Sequence, residues 1–421
     1  MTLQIKFEKI KEIIMNYTEA KTKMAAIGQE HVLRYYDELS KAQQDNLLKQ
    51  IEETDFSVLK RIDCGASDER GVFSPLAAMQ LDEINARRQE LAHVGTAAIQ
   101  AGKTAALLLA GGMGTRLGSD NPKGMYDIGI TKPVYIFERI ISNLLDVVKQ
   151  TDTWIRLFIM TSEKNNDATV KFFQEHDYFG YKQDRVVFFK QDMAPACDYN
   201  GKLYMDAKDH ISTSPNGNAG WYSSMVRAGL DKILVDEGIE WINIFAVDNV
   251  LQRICDPCFI GATILADVAV GSKVVRKAAP DEKVGVMCLE DGRPSIVEYY
   301  ELSEEMMNAK DENGDPAYNY GVILNYLFRT SELSKVTDDK MPLHVVKKKI
   351  PYIDENGALI KPSEPNGFKF EQLVLDMIHQ LSSCLPYEVI RDKEFAPIKN
   401  ATGIDSVESA RELLKKNDVA L

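Results

Sequence analysis

An α/β fold is what these 421 residues predict: a mostly parallel central sheet flanked by helices, preceded by a helical segment. Three observations carry that prediction. Apolar runs of strand length recur at AALLLA (105–110), IRLFIM (155–160), RVVFF (185–189) and INIFAV (242–247), as expected of strands covered on both faces. Between the first two, VYIFERIISNLLDVV (134–148) places Val134, Phe137, Ile141, Leu144, Leu145 and Val148 at helical spacing, so strands and helices alternate. The first hundred residues contain no such runs and are charged, glutamine-bearing and helical in pattern. This composition change sets a boundary at 102/103, with a helical segment over 1–102 expected to pack on the main domain, 103–421.

Within the first segment Val32, Tyr36 and Leu39 follow helical spacing, and Ser40 with Gln43 forms a capping box for a helix burying Leu47, Leu48 and Ile51. No internal repeat is evident. In an open parallel sheet the ligand crevice lies outside the carboxyl ends of the strands. Two motifs sit there: a glycine-rich loop after Ala110, and Val247, Asp248 and Asn249 after Ala246.

The loop reads LLLAGGMGTRLGSDNPKGMYDI over 107–128. Gly111, Gly112 and Gly114 lack a Cβ, which suggests a tight turn with positive φ whose N–H groups face an anion. Arg116 brings a planar, permanently charged fork and Lys123 a mobile point charge. The spacing differs from the GxGxxG of dinucleotide folds, and no GK[ST] follows as in a P-loop. Asp248 has two readings, as a turn cap together with Asn249 or as a ligand for Mg²⁺. Opposite a triphosphate the second is favoured, because Mg²⁺ takes one or two carboxylates plus phosphate oxygens.

Composition excludes several classes of function. With 63 acidic and 50 basic residues the net charge is −13, which opposes nucleic-acid binding. The lysines at 347–349 read as a solvated surface. No apolar stretch approaches a membrane span, and MTLQIKFEKIKEII at the start has no signal-peptide core, so a cytoplasmic location is expected. Six scattered cysteines suit a reducing compartment, and the CDPC at 255–258 has no second pair to complete a zinc site. The six histidines are dispersed and no GxSxG elbow occurs, so no covalent nucleophile is expected.

The string GGMGTRLGSDNPKGMYD resembles the UDP-N-acetylhexosamine and UDP-sugar pyrophosphorylases of eukaryotic type. The likeness continues in family order through IMTSEKN (159–165), FFQEHDYFGY (172–181), FFKQDMAPA (188–196), SPNGNAGWY (214–222), VGVMC (284–288), IVEY (296–299), IPYID (350–354), KPSEPNGFKFE (361–371) and FAPIKNA (395–401). It implies a nucleotidyltransferase sheet of GT-A-like, Rossmann type that joins UTP and a sugar 1-phosphate, N-acetylglucosamine 1-phosphate foremost, with Mg²⁺ as cofactor. A monomer is expected, with no nucleic-acid or membrane partner.

By that resemblance Gly111, Gly112, Gly114 and Thr115 cradle the nucleotide, and Gln191 and Gly217 select uracil. Arg116 holds the departing β- and γ-phosphates, Lys123 neutralises charge near the α-phosphorus, and Lys369 serves the sugar phosphate. Asn218, Gly285, Glu298 and Tyr299 face the sugar, and Asp248 holds the metal.

Two departures qualify the likeness. Relatives carry an asparagine in an N-x-G-N-I string where this chain reads NYGVI, so Val322 replaces a sugar-directed amide, with Asn325 as a neighbour that could remake the contact. The chain also reads as a short form without the C-terminal β-rich lobe of longer relatives. Glucose 1-phosphate or galactose 1-phosphate is the alternative substrate, and a non-catalytic nucleotide-sugar sensor is the alternative of another class. Against a sensor stand Arg116, Lys123, Asp248 and Lys369 together.

Overall fold

The computed structural model describes residues 15–62, 70–336 and 341–421; the opening stretch MTLQIKFEKIKEII lies outside them. The chain divides into two compact units. The smaller comprises 1–67, 193–217 and 343–371, and the larger comprises 68–192, 218–342 and 372–421. The composition boundary near 103 therefore falls inside the larger unit, at the first of its parallel strands, and residues 68–102 belong to that unit.

In the smaller unit, helix Lys41–Glu53 starts at Ser40 with the expected capping box and buries Leu47, Leu48 and Ile51. The helix expected across Val32, Tyr36 and Leu39 is instead two short 3₁₀ turns, Glu30–Leu33 and Tyr36–Glu38. Bonds to the 201–203 segment supply the reason: Gln29 Nε2 donates to the Gly201 carbonyl, and Gln29 Oε1 accepts from Leu203 N–H. A spacing of three or four residues is met by successive 3₁₀ turns as well as by an α-helix. A three-stranded antiparallel sheet, His344–Lys348, Gly367–Glu371 and Cys197–Asp198, completes this unit together with short hairpins.

The larger unit is organised by a ten-stranded sheet. Its strands are β1 (Phe73–Pro75), β2 (Thr104–Leu109), β3 (Arg156–Thr161), β4 (Val186–Lys190), β5 (Trp241–Ala246), β6 (Val270–Arg276), β7 (Val286–Glu290), β8 (Arg293–Val297), β9 (Tyr320–Arg329) and β10 (Cys384–Glu388). Strands β5, β2, β3 and β4 are adjacent and parallel. Strand β9 runs antiparallel beside β5 and carries the sheet on to β6 and to the β7–β8 hairpin.

Alternation along β2 explains its apolar run. Ala106 and Leu108 enter one core, while Ala105, Leu107 and Leu109 enter another on the opposite face. Helices α1 (Arg88–Gln100), α2 (Ile136–Thr151) and α3 (Pro257–Leu265) contribute to the first core. Helix α2 matches the expected repeat and buries Phe137, Ile141, Leu144 and Val148, but Leu145 is only half-buried and Val134 precedes the helix. Strand β4, expected to be covered on both faces, ends the sheet; Val186, Val187 and Phe188 are half-buried as a result.

Candidate functional site

Register brings the motifs to one edge of the parallel strands. Ala246, Leu109, Met160 and Phe189 align across β5, β2, β3 and β4. Just beyond that row lie Asp248, the glycine loop, Ser162 to Asn165, and Gln191. This is the carboxyl end of the strands, where open α/β sheets bind ligands.

The loop's geometry corrects one expectation. None of Gly111, Gly112 and Gly114 has positive φ; within the loop that conformation belongs to Gly118, at 75°. What stands close to Gly111 is the Gln191 amide: a Cβ there would lie 2.5 Å from Nε2 and the amide would have to move. Gln191 is itself buried, and its N–H donates to the Thr161 carbonyl at the end of β3. The loop folds back on itself, with Gly114 N–H donating to the Asn121 carbonyl and Lys123 N–H to the Gly112 carbonyl. Asn165, wholly buried, donates from Nδ2 to the carbonyls of Ala110 at 2.9 Å and Gly112 at 3.3 Å. Thr115 and Arg116 stand exposed in the 3₁₀ turn Thr115–Leu117.

On the neighbouring strand end, Asp248 is joined to the segment FAPIKNA. Ile398 N–H donates to the Asp248 carbonyl, and Lys123 Nζ donates to the Ile398 carbonyl at 3.2 Å. Asn249, only 2% exposed, holds the same segment from both sides: Oδ1 accepts from Ala396 N–H and Nδ2 donates to the Glu394 carbonyl. A buried ion pair continues the anchorage, with Lys273 Nζ 2.5 Å from Glu394 Oε2.

Burial lowers the pKa of Lys123 below its ordinary value, Asp248 pulls it up, and Arg116 and Lys399 push it further down. Arg116 and Lys399 thus both act on Lys123 near Asp248, a local concentration of positive charge suited to a polyanion. Lys399, paired with Asp405 at 3.0 Å, was not singled out by motif reading, although its segment was. Among the described residues no group of three or more His, Cys, Asp and Glu forms a cation cage. Asp248 alone fits Mg²⁺ in its usual role, in which phosphate and water complete the coordination.

Three of the sugar candidates lie together on the antiparallel side. A Cβ at Gly285 would stand 3.3 Å from Glu298 Oε1, and Val322 N–H donates to the Gly285 carbonyl at 2.9 Å. Tyr299 is 42% exposed, its ring edge-on to Tyr300. Asn218 Oδ1 accepts from Val374 N–H at the start of helix α4 (Val374–Gln380), which leaves the amide NH₂ as the end able to donate to a ligand.

Asn325 does not take over from the missing amide. It is fully buried, with Oδ1 accepting from Asn243 and Nδ2 donating to Gln252. It alternates with Ile323 and Leu327 on the face of β9 that enters the first core, a strand covered on both faces.

Two candidates belong to the smaller unit. Gly217 comes after strand Thr213–Pro215 with φ 95°, and Lys369 lies half-buried in Gly367–Glu371 opposite Val346. The CDPC cysteines are buried free thiols in the larger unit, and burial pushes both thiol pKa values up.

The chain matches known proteins along most of its length. It is 36% identical over 426 residues to the UDP-N-acetylglucosamine pyrophosphorylase of Saccharomyces cerevisiae, covering 94% of this chain and 88% of that one. It is also 36% identical over 410 residues to the mouse UDP-N-acetylhexosamine pyrophosphorylase-like protein 1, covering 91% and 80%. The crystal structure of the uridine diphosphate N-acetylglucosamine pyrophosphorylase of Trypanosoma brucei, solved with an inhibitor, superposes with a TM-score of 0.76 at 26% identity, covering 93% of this chain and 83% of that one. The sequence profile described as UTP–glucose-1-phosphate uridylyltransferase matches residues 72–420, which takes in every candidate named above, and on that match the chain belongs to the UDPGP family.

Proposed function

We propose that this chain transfers the uridylyl group of UTP to N-acetylglucosamine 1-phosphate, giving UDP-N-acetylglucosamine and pyrophosphate. The observation that carries the reading is the gathering of Arg116, Lys123 and Asp248 where the parallel strands end. A sugar-phosphate oxygen is already ionised at neutral pH and attacks the α-phosphorus directly. A new P–O bond forms there as the bond to the β-phosphate's bridging oxygen breaks. The work left to the protein is positioning and charge neutralisation.

In this reading the backbone of Gly111, Gly112, Gly114 and Thr115 lies along the nucleotide phosphates, Arg116 holds the β- and γ-phosphates, and Lys123 serves the α-phosphate. Gln191 and the backbone at Gly217 select uracil, since a wrong base leaves a buried group unpaired at a cost of about 1–3 kcal/mol. Asn218, Gly285, Glu298 and Tyr299 receive the sugar, and Lys369 its phosphate. Asp248 would hold Mg²⁺, which supplies screening of the triphosphate charge.

The names of the yeast and mouse relatives support the N-acetylated sugar. The family's own description, together with Val322 in place of an amide, keeps glucose 1-phosphate as the second substrate to test. The reading includes a cytoplasmic monomer. The free cysteines suit a reducing compartment, and among the described residues no helix is long and apolar enough to cross a membrane.

Pyrophosphate release measured across a matrix of nucleoside triphosphates and sugar 1-phosphates tests the proposal. UTP with N-acetylglucosamine 1-phosphate should turn over fastest. Binding of UDP-sugar without pyrophosphate release from any pair would leave a sensor. Chirally labelled α-thio-UTP checks the chemistry, because a single displacement inverts configuration and retention would require a covalent uridylyl-enzyme.

A further inference from the structure

Arg70 lies just ahead of β1 and gathers the sugar-side elements on one guanidinium. Nε and Nη2 take the two carboxylate oxygens of Glu290 at 3.0 and 2.9 Å. Nη1 donates to both oxygens of Glu301 at 2.9 and 3.2 Å. Nη2 also donates to Ser295 Oγ and to the Ile296 carbonyl. A planar fork can bridge two carboxylates in this way, and a lysine ammonium cannot reproduce it.

Glu301 is the informative partner. Its carboxylate accepts from Glu298 N–H at 2.9 Å, and its own N–H donates to the Glu298 carbonyl at 2.8 Å. The turn over 298–301 is therefore closed from both directions by one residue, and that residue is tied to Arg70. Glu298 in turn presents its carboxylate beside Gly285, whose carbonyl accepts from Val322. The placement of a sugar candidate thus depends on a guanidinium that no motif marks.

We propose that Arg70, acting through Glu301, is a positioning residue that fixes Glu298 against the sugar and so sets how tightly the sugar portion of a nucleotide sugar is held. The inference rests on the function proposed above. Among the described residues, all of Arg70's hydrogen bonds go to Glu290, Glu301, Ser295 and Ile296.

Calorimetric titration of the full chain with UDP and, separately, with UDP-N-acetylglucosamine tests it. Glu301→Ala releases the turn and leaves the Arg70–Glu290 clamp in place, and with 23% side-chain exposure the site tolerates the change. Arg70→Lys loosens both. Each variant should bind UDP-N-acetylglucosamine about tenfold more weakly, as expected for one displaced charged hydrogen bond, and UDP within about twofold of wild type. Glu301→Gln, which keeps an acceptor for Glu298 N–H, should recover part of the loss.

Equal weakening of UDP and UDP-N-acetylglucosamine in folded Glu301→Ala would overturn the inference and make Arg70 a clamp for the hairpin alone. So would unchanged affinity for both. A wild type that binds neither nucleotide overturns the proposed function and this inference with it, so the two failures are told apart by the wild-type titration.

Discussion

The proposed phosphate end and the proposed sugar end of the larger unit are built on opposite principles. At the phosphate end the candidate groups stand on loops leaving parallel strands, and a buried amide pins each loop: Asn165 holds the carbonyls of Ala110 and Gly112, and Asn249 holds the segment from Glu394 to Ala396. At the sugar end Gly285, Glu298 and Val322 stand on antiparallel strands and a turn, tied by Arg70 and Glu301 at 33% and 23% side-chain exposure. Buried amides impose one geometry, because any other leaves polar groups unpaired. Partly solvated ion pairs impose it less strictly. Under the proposed function, the consequence is chemistry held rigid beside selectivity that can be retuned.

The comparison breaks first at Asp248 and Lys123. If the phosphate end is the chemical end, Asp248→Ala and Lys123→Ala should each lower kcat about 10²-fold or more, the scale for losing one preorganised charge-stabilising group, with the thermal transition unchanged in Asp248→Ala. Lys123→Arg should restore little, because a planar fork occupies different space from a point ammonium. Chelation should abolish turnover and Mg²⁺ restore it. Full activity in a folded Asp248→Ala protein would return that residue to turn capping.

Next come the amide pins. Asn249→Ala leaves Ala396 N–H and the Glu394 carbonyl without their partner, so urea denaturation should show a loss of about 1–3 kcal/mol. Since Ile398 bonds both the Asp248 carbonyl and Lys123 Nζ, kcat should fall with it while sugar selectivity stays put. A change in selectivity larger than the change in kcat would blur the two ends into one.

How much of this was legible in the sequence divides along the same line. Three of the parallel strands were, because burial on both faces writes an unbroken apolar run, whereas β4 carries a similar run at the sheet edge; the strand ends located Asp248 and the glycine loop. The conformation of that loop was not: three glycines read alike whether or not they adopt positive φ, and in the fold that conformation falls to Gly118 while the Gln191 amide lies against Gly111. The smaller unit was hidden because it assembles three separated segments, and no sequence window contains all three. Lys399 sat in a motif noticed only for its order, and its effect on Lys123 passes through folded space. Asn325 looked available, since nothing in NYGVILNY announces that both faces of the strand are buried or that Asn243 and Gln252 await its amide.

A smaller effect belongs to the sugar end. Burial works to raise the Glu290 carboxyl, but Arg70, Gly71 N–H and Ser295 outweigh it and hold the pKa at about 2. A folded value below the unfolded one contributes stability that is complete above an ordinary glutamate pKa of about 4.3 and lost as pH falls toward the folded value. Urea midpoints should therefore decline between about pH 5 and pH 2, and Glu290→Gln should flatten that decline. Identical slopes in the two proteins would remove Glu290 from the account.

The smallest expected effect is at Val322, and it sharpens the comparison most. Its N–H is committed to the Gly285 carbonyl, so its side chain starts from the same wall that carries Glu298. Asn325 is locked into the Asn243 and Gln252 network and cannot compensate, so this position offers the sugar no amide. One neutral hydrogen bond is worth about 1 kcal/mol, which is less than tenfold in discrimination. N-acetylglucosamine 1-phosphate should accordingly be preferred over glucose 1-phosphate by a modest margin, and Val322→Asn should widen that margin severalfold without moving kcat for the better substrate. A kcat/KM ratio untouched by Val322→Asn would place selectivity elsewhere. Outright preference for glucose 1-phosphate would instead show that the wall built by Gly285, Glu298 and Val322 accepts a different sugar.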